Sequence, residues 1–351
     1  MFHRSRPSLG ATHRPRLGTG NRTGNRAGNR AGNRAGLRAA VLPVLALLGA
    51  AGGCARRSAD ATGAFVVGFS QMESNNPWRI AQTQSLRDEA AKRGISLVVT
   101  DAQGETAKQV SDVEDLIARR VNLILLAPRE FQGLAPALQA AKRARIPVIL
   151  VDREAAGTVG EDYLTFLGSN FIEQGRRAAE WLATATGGRA NIVELTLTPG
   201  SSVARDRSAG FHDGISKYPE MHIIAAQTGD ASRTQAERVM QNIAQSLGSR
   251  ITAVYAHNDE MALGAIQALK AAGRHPGQDV LVVSVDGERA ALQAITAGEL
   301  GATVESNPRF GPLAFETIEQ YRRGQPLPPK IILTDRLFDR TNAAQFITQA
   351  F

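Results

Sequence analysis

The chain has 351 residues, 43% of them hydrophobic and 21% charged, enough for two globular lobes with separate cores; this excludes a disordered chain and a small disulfide scaffold. Its single cysteine, Cys54, excludes an intrachain disulfide and any cysteine-rich zinc or iron–sulfur site. The formal net charge of +8 originates in residues 1–57, which hold 11 Arg and no Lys, Asp or Glu; the body carries 30 basic residues against 33 acidic ones, so charge makes no case for a nucleic-acid partner.

Residues 1–38 are rich in Arg, Gly and Asn, with a four-residue repeat from Asn21 to Gly36. Such a tract has no apolar face to bury and is expected to stay unfolded. The uncharged stretch from Ala39 to Gly53, with Val41, Leu42, Val44, Leu45, Leu47 and Leu48, is shorter than the roughly 20 residues of a membrane span and reads as the apolar region of a signal peptide. The small residues Ala50-Ala51-Gly52-Gly53 before Cys54 resemble a bacterial lipoprotein signal, although Ala51 stands where leucine is usual. That resemblance implies lipidation of Cys54 and a chain anchored by lipid outside the cytoplasm; secretion with cleavage nearby is the alternative. Residues 1–57 are thus expected to be a leader.

From Phe65 short apolar runs alternate with longer helical patterns. Strands are expected at 65–70, 96–100, 123–127, 148–151, 191–195, 222–227, 253–256, 281–285 and 301–304. Helices are expected at 77–93, 105–119, 134–143, 171–186, 201–217, 232–247, 259–272 and 289–297. Continuous apolar strands separated by helices of this length predict an α/β fold with parallel sheets buried on both faces. Nine strands with a break near 167–170 predict two such sheets.

In open α/β sheets a ligand binds beyond the carboxyl ends of the strands. The residues there are Asn75, Asn76, Pro77, Trp78 and Arg79 after the first run, Asp152 and Arg153 after the fourth, His257, Asn258 and Asp259 after 253–256, and Asp286 after 281–285. Arg205 opens a helix, and Glu305-Ser306 follow the last run. Carboxylates, carboxamides and guanidinium forks can satisfy adjacent hydroxyls, and Trp offers a flat apolar face to a sugar ring. Pairs such as Asp152–Arg153 or Asp286–Arg205 would neutralise one another, so the ligand need not be charged. Other roles are open to single residues: Asp152 and Asp286 as helix N-caps, Arg205 as a solvated helix residue, Trp78 as core. Trp181, inside an amphipathic helix, reads as core.

Catalytic signatures are missing. The sequence has no phosphate-binding loop, no H-E-x-x-H, no nucleophile elbow and no dinucleotide fingerprint after the first strand. His212, His222, His257 and His275 show no ligand spacing, so no metal and no cofactor are expected, and the protein is not expected to be an enzyme.

Four segments taken together resemble the periplasmic sugar-binding proteins of ABC transporters, the ribose- and galactofuranose-binding group, whose fold is shared by LacI-type effector domains. They are Tyr255-Ala256-His257-Asn258-Asp259 with the residues to Ile266, Ile146-Pro147 to Arg153, Ser202-Val203-Ala204-Arg205-Asp206-Arg207 with Gly210-Phe211, and Val285-Asp286-Gly287. The similarity spans about 65–337, and no helix-turn-helix precedes it. It implies two doubly wound parallel-sheet lobes joined by a hinge, 63–167 with 307–334 and 168–306 with 335–351, closing on a monosaccharide. It further implies a monomer that delivers the sugar to an ABC permease, or alternatively a sugar sensor of the same fold acting on a chemoreceptor or kinase. The implied ligand contacts are Asn76, Trp78, Arg79, Asp152, Arg153, Arg205, Asn258 and Asp286, with Glu305 more loosely placed. Ribose-binding members carry two aromatics where this chain has Trp78-Arg79, a pairing that looks like the galactofuranose-binding protein.

Overall fold

A computed structural model describes residues 64–351. The leader, its apolar stretch and Cys54 lie outside the described residues. In chain order the elements are β1 (Val66–Gln71), α1 (Pro77–Lys92), β2 (Ser96–Asp101), α2 (Thr106–Ala118), β3 (Leu123–Leu126), α3 (Ala135–Ala144), β4 (Val148–Val151), β5 (Phe166–Ser169), α4 (Phe171–Thr186) and β6 (Arg189–Thr196). There follow α5 (Ser202–Ile215), β7 (Glu220–Thr228), α6 (Arg233–Leu247), β8 (Ala253–Ala256), α7 (Asp259–Ala271), β9 (Leu281–Asp286), α8 (Arg289–Thr296), β10 (Ala302–Glu305), α9 (Gly311–Arg322), β11 (Lys330–Leu333), β12 (Leu337–Asp339) and α10 (Ala343–Phe346).

The strands form two six-stranded sheets, ordered β11-β5-β4-β3-β1-β2 and β12-β10-β9-β8-β6-β7. All pairings are parallel except β10 with β12, where Thr303 faces Phe338. Both sheets repeat one winding: the first strand of each half lies second from the edge, so a crevice opens beyond the carboxyl ends where the winding reverses, between β1 and β3 and between β6 and β8. The chain passes between the sheets three times, after β5, after β10 and between β11 and β12. The first passage follows Ser169, so Gly168 and Ser169 belong to the first sheet rather than to the second lobe.

β3, β4 and β8 are short runs buried along their whole length, as strands covered by helices on both faces must be. In the first half Phe69, Leu125, Ile149 and Val151 pack against Leu86, Phe310 and Phe315. In the second, Phe211 of α5 stacks on Tyr255 of β8 with ring centroids 3.9 Å apart. Helices α4 and α5 approach closely because glycines line their contact: a Cβ on Gly175 would lie 2.2 Å from the Arg207 carbonyl oxygen, and one on Gly210 would lie 1.9 Å from that of Ile172. This contact fixes the height of Arg207 above the sheet.

Three strands and two helices escaped the sequence pattern. Phe166–Ser169 reads as a break because it is four residues long with Gly168 inside it. The edge strands β11 and β12 have no fully apolar run, since Lys330 and Ile332 are exposed and β12 has three residues.

Candidate ligand-binding site

Between the carboxyl ends of the two sheets lies a cavity with about 350 Å³ of atom-free space. Its wall carries Glu73, Asn76, Trp78, Arg79, Asp152 and Arg153 from the first half and Arg207, Asn258 and Asp286 from the second, with Leu197, Val203 and Ala231 as the apolar part.

The first-half residues are set by α1 and β4. Asn76 caps α1, its Oδ1 accepting from the Arg79 backbone N–H at 3.0 Å, with Pro77 fitting the first helical turn. Its amide then donates to Glu73 Oε1 at 3.3 Å, which anchors the loop after β1. Trp78 is buried; its Nε1–H donates to the Ser306 carbonyl at 2.7 Å, and its ring meets Phe310 edge-on at 6.1 Å. The Arg79 guanidinium lies 4.6 Å from the Trp78 ring centroid, so one residue covers the aromatic face with a cation.

Arg79 Nη1 is 2.7 Å from Asp152 Oδ2, yet the angle leaves that oxygen without an aligned hydrogen bond among the described residues. Arg153 Nε is likewise unpartnered, while its Nη1 donates to the Arg129 carbonyl at 3.0 Å. Burial, reinforced by the Arg79 charge, pulls the Arg153 guanidinium down to about 9, still charged at neutral pH. Arg79, Arg153 and Asp152 thus form one buried ion cluster in the cavity wall, a set of donors and acceptors suited to hydroxyl groups.

In the second half Arg207 takes the position expected of Arg205. Its Nε donates to Gln174 Oε1 at 2.9 Å, its Nη1 to the His257 carbonyl at 2.5 Å, and its Nη2 lies 3.5 Å from Asp286 Oδ1. Burial pushes the Asp286 carboxyl well above the usual range, against the pull of Arg207. Asn258 caps α7 through Oδ1, which accepts from the Met261 N–H at 3.0 Å, and its amide NH₂ has no partner among the described residues. Asp152 and Asp286 cap no helix. Each ends or follows the fourth strand of its half, at φ 66° and 142°, conformations a non-glycine residue rarely adopts.

Two expected contacts lie elsewhere. Arg205 is a correction: its half-exposed side chain pairs with Asp206 at 2.7 Å and lies 4.9 Å from the Phe131 ring, outside the cavity wall. Val203, Arg207, Gly210, Phe211 and Gly214 occupy the buried face of α5, and Arg205 projects from the other side. Glu305 is turned away as well, paired with Arg336 through two hydrogen bonds at 2.7 and 2.6 Å. The expected Asp152–Arg153 pair is present at 3.7 Å and is joined by a closer Arg79 at 2.7 Å, whereas Asp286 pairs with Arg207 and not with Arg205. Glu73 and Arg207 were not among the expected contacts, although the α5 spacing just described carries the signal for Arg207.

The wall therefore holds three carboxyl groups and three guanidiniums. Acidic and basic groups are equal in number, which suits a polyhydroxyl ligand that meets donors and acceptors alike. Among the described residues no group of three or more His, Cys, Asp or Glu could hold a metal ion.

The model of the periplasmic binding protein domain matches residues 67–326. The chain belongs to the periplasmic binding protein family. The galactofuranose-binding protein YtfQ of Escherichia coli (strain K12) is 40% identical over 271 residues, covering 76% of this chain and 85% of that one. The ribose import binding protein RbsB of Bacillus subtilis (strain 168) is 35% identical over 268 residues, again 76% and 85% of the two chains. Among solved structures, the periplasmic binding protein of the arabinose ABC transporter from Shewanella sp. ANA-3, bound to α- and β-L-arabinofuranose, superposes with a TM-score of 0.78 at 40% identity, over 81% of this chain and 95% of that one. This periplasmic binding protein shares its two-lobed parallel-sheet fold with that structure, and its relatives are solute-binding proteins rather than enzymes.

Proposed function

We propose that this protein captures a monosaccharide in furanose form outside the cytoplasmic membrane and delivers it to an ABC permease. The observation that carries the reading is the buried wall of Arg79, Asp152, Arg153, Arg207, Asn258 and Asp286, in which guanidiniums and carboxyl groups pair at 2.7–3.7 Å. Hydroxyls on neighbouring carbons can accept from Arg153 and Arg207 and donate to Asp152 and Asp286 while the Trp78 side covers the ring. The furanose form is supported by the galactofuranose and arabinofuranose ligands named for two relatives. It is also supported by Arg79, which places a donor where a second aromatic face would otherwise stack.

The two halves, 63–167 with 307–334 and 168–306 with 335–351 apart from the Gly168-Ser169 end of β5, act as hinged bodies. Because ligand groups come from both, a sugar that touches both stabilises the closed arrangement, and the free-energy difference between its contacts in the two states drives closure. The protein works as a monomer, held at the membrane through Cys54.

Thermal unfolding of the purified protein with pentoses, hexoses and inositols tests this reading. A ligand at about 100 times its dissociation constant adds roughly 2.7 kcal/mol of stability, a clear upward shift. A shift with L-arabinose or D-galactose supports it, and no shift with any sugar overturns it. Uptake of the labelled sugar by cells lacking the protein then separates delivery to a permease from a sensor role: a sensor leaves uptake unchanged.

A further inference from the structure

Behind the cavity wall a buried amide holds Arg207 without lining the cavity itself. Gln174, in the second turn of α4, is 1% exposed and makes hydrogen bonds in three directions. Its Oε1 accepts from Arg207 Nε at 2.9 Å, and its Nε2 donates to Asp335 Oδ2 at 2.8 Å and to the Glu305 carbonyl at 3.2 Å. Its own backbone N–H donates to the Asn170 carbonyl at 2.9 Å. Asn170 and Asp335 stand on the first and third passages between the sheets, Glu305 ends β10 just before the second, and Asp335 is held in turn by Ser169 Oγ at 3.0 Å and, through its carbonyl, by Arg177 at 2.6 Å.

The chemistry of the amide makes this more than scaffolding. A carboxamide has a donor end and an acceptor end, and only one orientation fits here. Turned over, it would set its NH₂ against the Arg207 N–H and its oxygen against the Asp335 carboxylate and the Glu305 carbonyl, three unfavourable contacts in a buried place. The acceptors on the passages therefore decide that an oxygen faces Arg207. That oxygen, with the His257 carbonyl, fixes the plane of the guanidinium whose remaining Nη2 faces Asp286 and the cavity.

We propose that Gln174 is a positioning residue for ligand recognition, orienting the Arg207 guanidinium and tying that orientation to the inter-lobe passage at Asp335. The proposal rests on the sugar-binding reading above.

Titration calorimetry with D-galactose, L-arabinose and D-ribose tests it on the wild type, Gln174→Met, Arg207→Lys, the double variant, Asp335→Ala and Asp335→Asn. Methionine keeps the volume and removes both polar ends. Gln174→Met is expected to weaken the sugar that the wild type binds by about tenfold or more in the Arg207 background, and by less than about twofold once Arg207 is Lys, because the effect passes through the guanidinium. Asp335→Ala should match Gln174→Met, while Asp335→Asn, which keeps an acceptor, should stay within about threefold of wild type. An equal loss in both Arg207 backgrounds, or an unchanged affinity of Gln174→Met, overturns the proposal and leaves the sugar-binding reading standing. A wild type that binds none of the three sugars and no other pentose, hexose or inositol of the thermal panel removes both. If Gln174→Met does not fold, the contrast between Asp335→Ala and Asp335→Asn decides alone: equal losses in the two refute it.

Discussion

Arg207 Nη2 faces Asp286 Oδ1 at 3.5 Å in one half of the cavity, and Arg79 Nη1 faces Asp152 Oδ2 at 2.7 Å in the other. Each half thus carries its own guanidinium–carboxylate pair, and neither depends on the other half for charge balance. A neutral ligand can then join the halves without leaving a buried charge unpaired.

This pairing separates two arginines that lie two positions apart. Arg207→Ala removes a charge-assisted donor from the cavity and should weaken sugar binding by about 1.5–3 kcal/mol, or roughly 10- to 150-fold. Arg205→Ala removes a half-exposed side chain paired with Asp206 and should change affinity by less than about threefold. Calorimetry on the two variants checks this, and a larger loss at Arg205 would return that residue to the site.

Asp286 combines a buried carboxyl, raised well above its usual range, with a φ of 142°. Both features cost stability, and strain of this kind is on the order of 1–3 kcal/mol. Asp286→Gly is therefore expected to lose at least about tenfold in sugar affinity while the unfolding midpoint of the free protein stays level or rises. A midpoint that falls in step with affinity would show Asp286 to be a structural residue first.

Trp78 and Trp181 are the two tryptophans, and Trp78 alone lines the cavity. Sugar addition should change the intrinsic fluorescence, the change should vanish in Trp78→Phe, and it should persist in Trp181→Phe. Trp78→Phe also loses the Nε1 bond to the Ser306 carbonyl, worth about 0.5–1.5 kcal/mol in unfolding free energy. A signal that survives in Trp78→Phe would place the ligand away from this ring.

Much of the fold was legible because its strands are buried on both faces: β3, β4 and β8 appear as apolar runs that no loop would carry. The edge strands β11 and β12 were not, since one face of an edge meets water and the apolar signal fades. At the site, residues placed by strand ends and helix caps, such as Asp152, Asn258 and Asp286, could be found from position alone. Arg207 and Glu305 needed the direction of a side chain: helical phase in α5 turns Arg207 inward and Arg205 out, and the Arg336 fork draws Glu305 away from the cavity. Gln174 could not be found at all, because its partners Arg207, Glu305 and Asp335 are far apart in sequence and meet only in three dimensions.

Glu288, buried at the start of α8, gives the fold a pH dependence of definite sign. Burial first, then the nearby carboxyls Asp259, Glu260 and Asp286, push it up to about 9, against the pull of Arg233 at 4.0 Å. Folded protein keeps this proton to about pH 9, whereas unfolded chain releases it near 4.5, so stability falls as pH rises through that interval. Asp259, raised to about 6 by burial, adds to the decline in the lower part of the same range. Glu288→Gln removes the carboxyl that resists ionisation and should leave stability almost unchanged at pH 4.5 while raising it by roughly a few kcal/mol at pH 8. Chemical denaturation at the two pH values reads this directly. A variant less stable than wild type at pH 8 would mean that Glu288 is ionised there and that its pairing with Arg233 outweighs burial among the three other carboxyls.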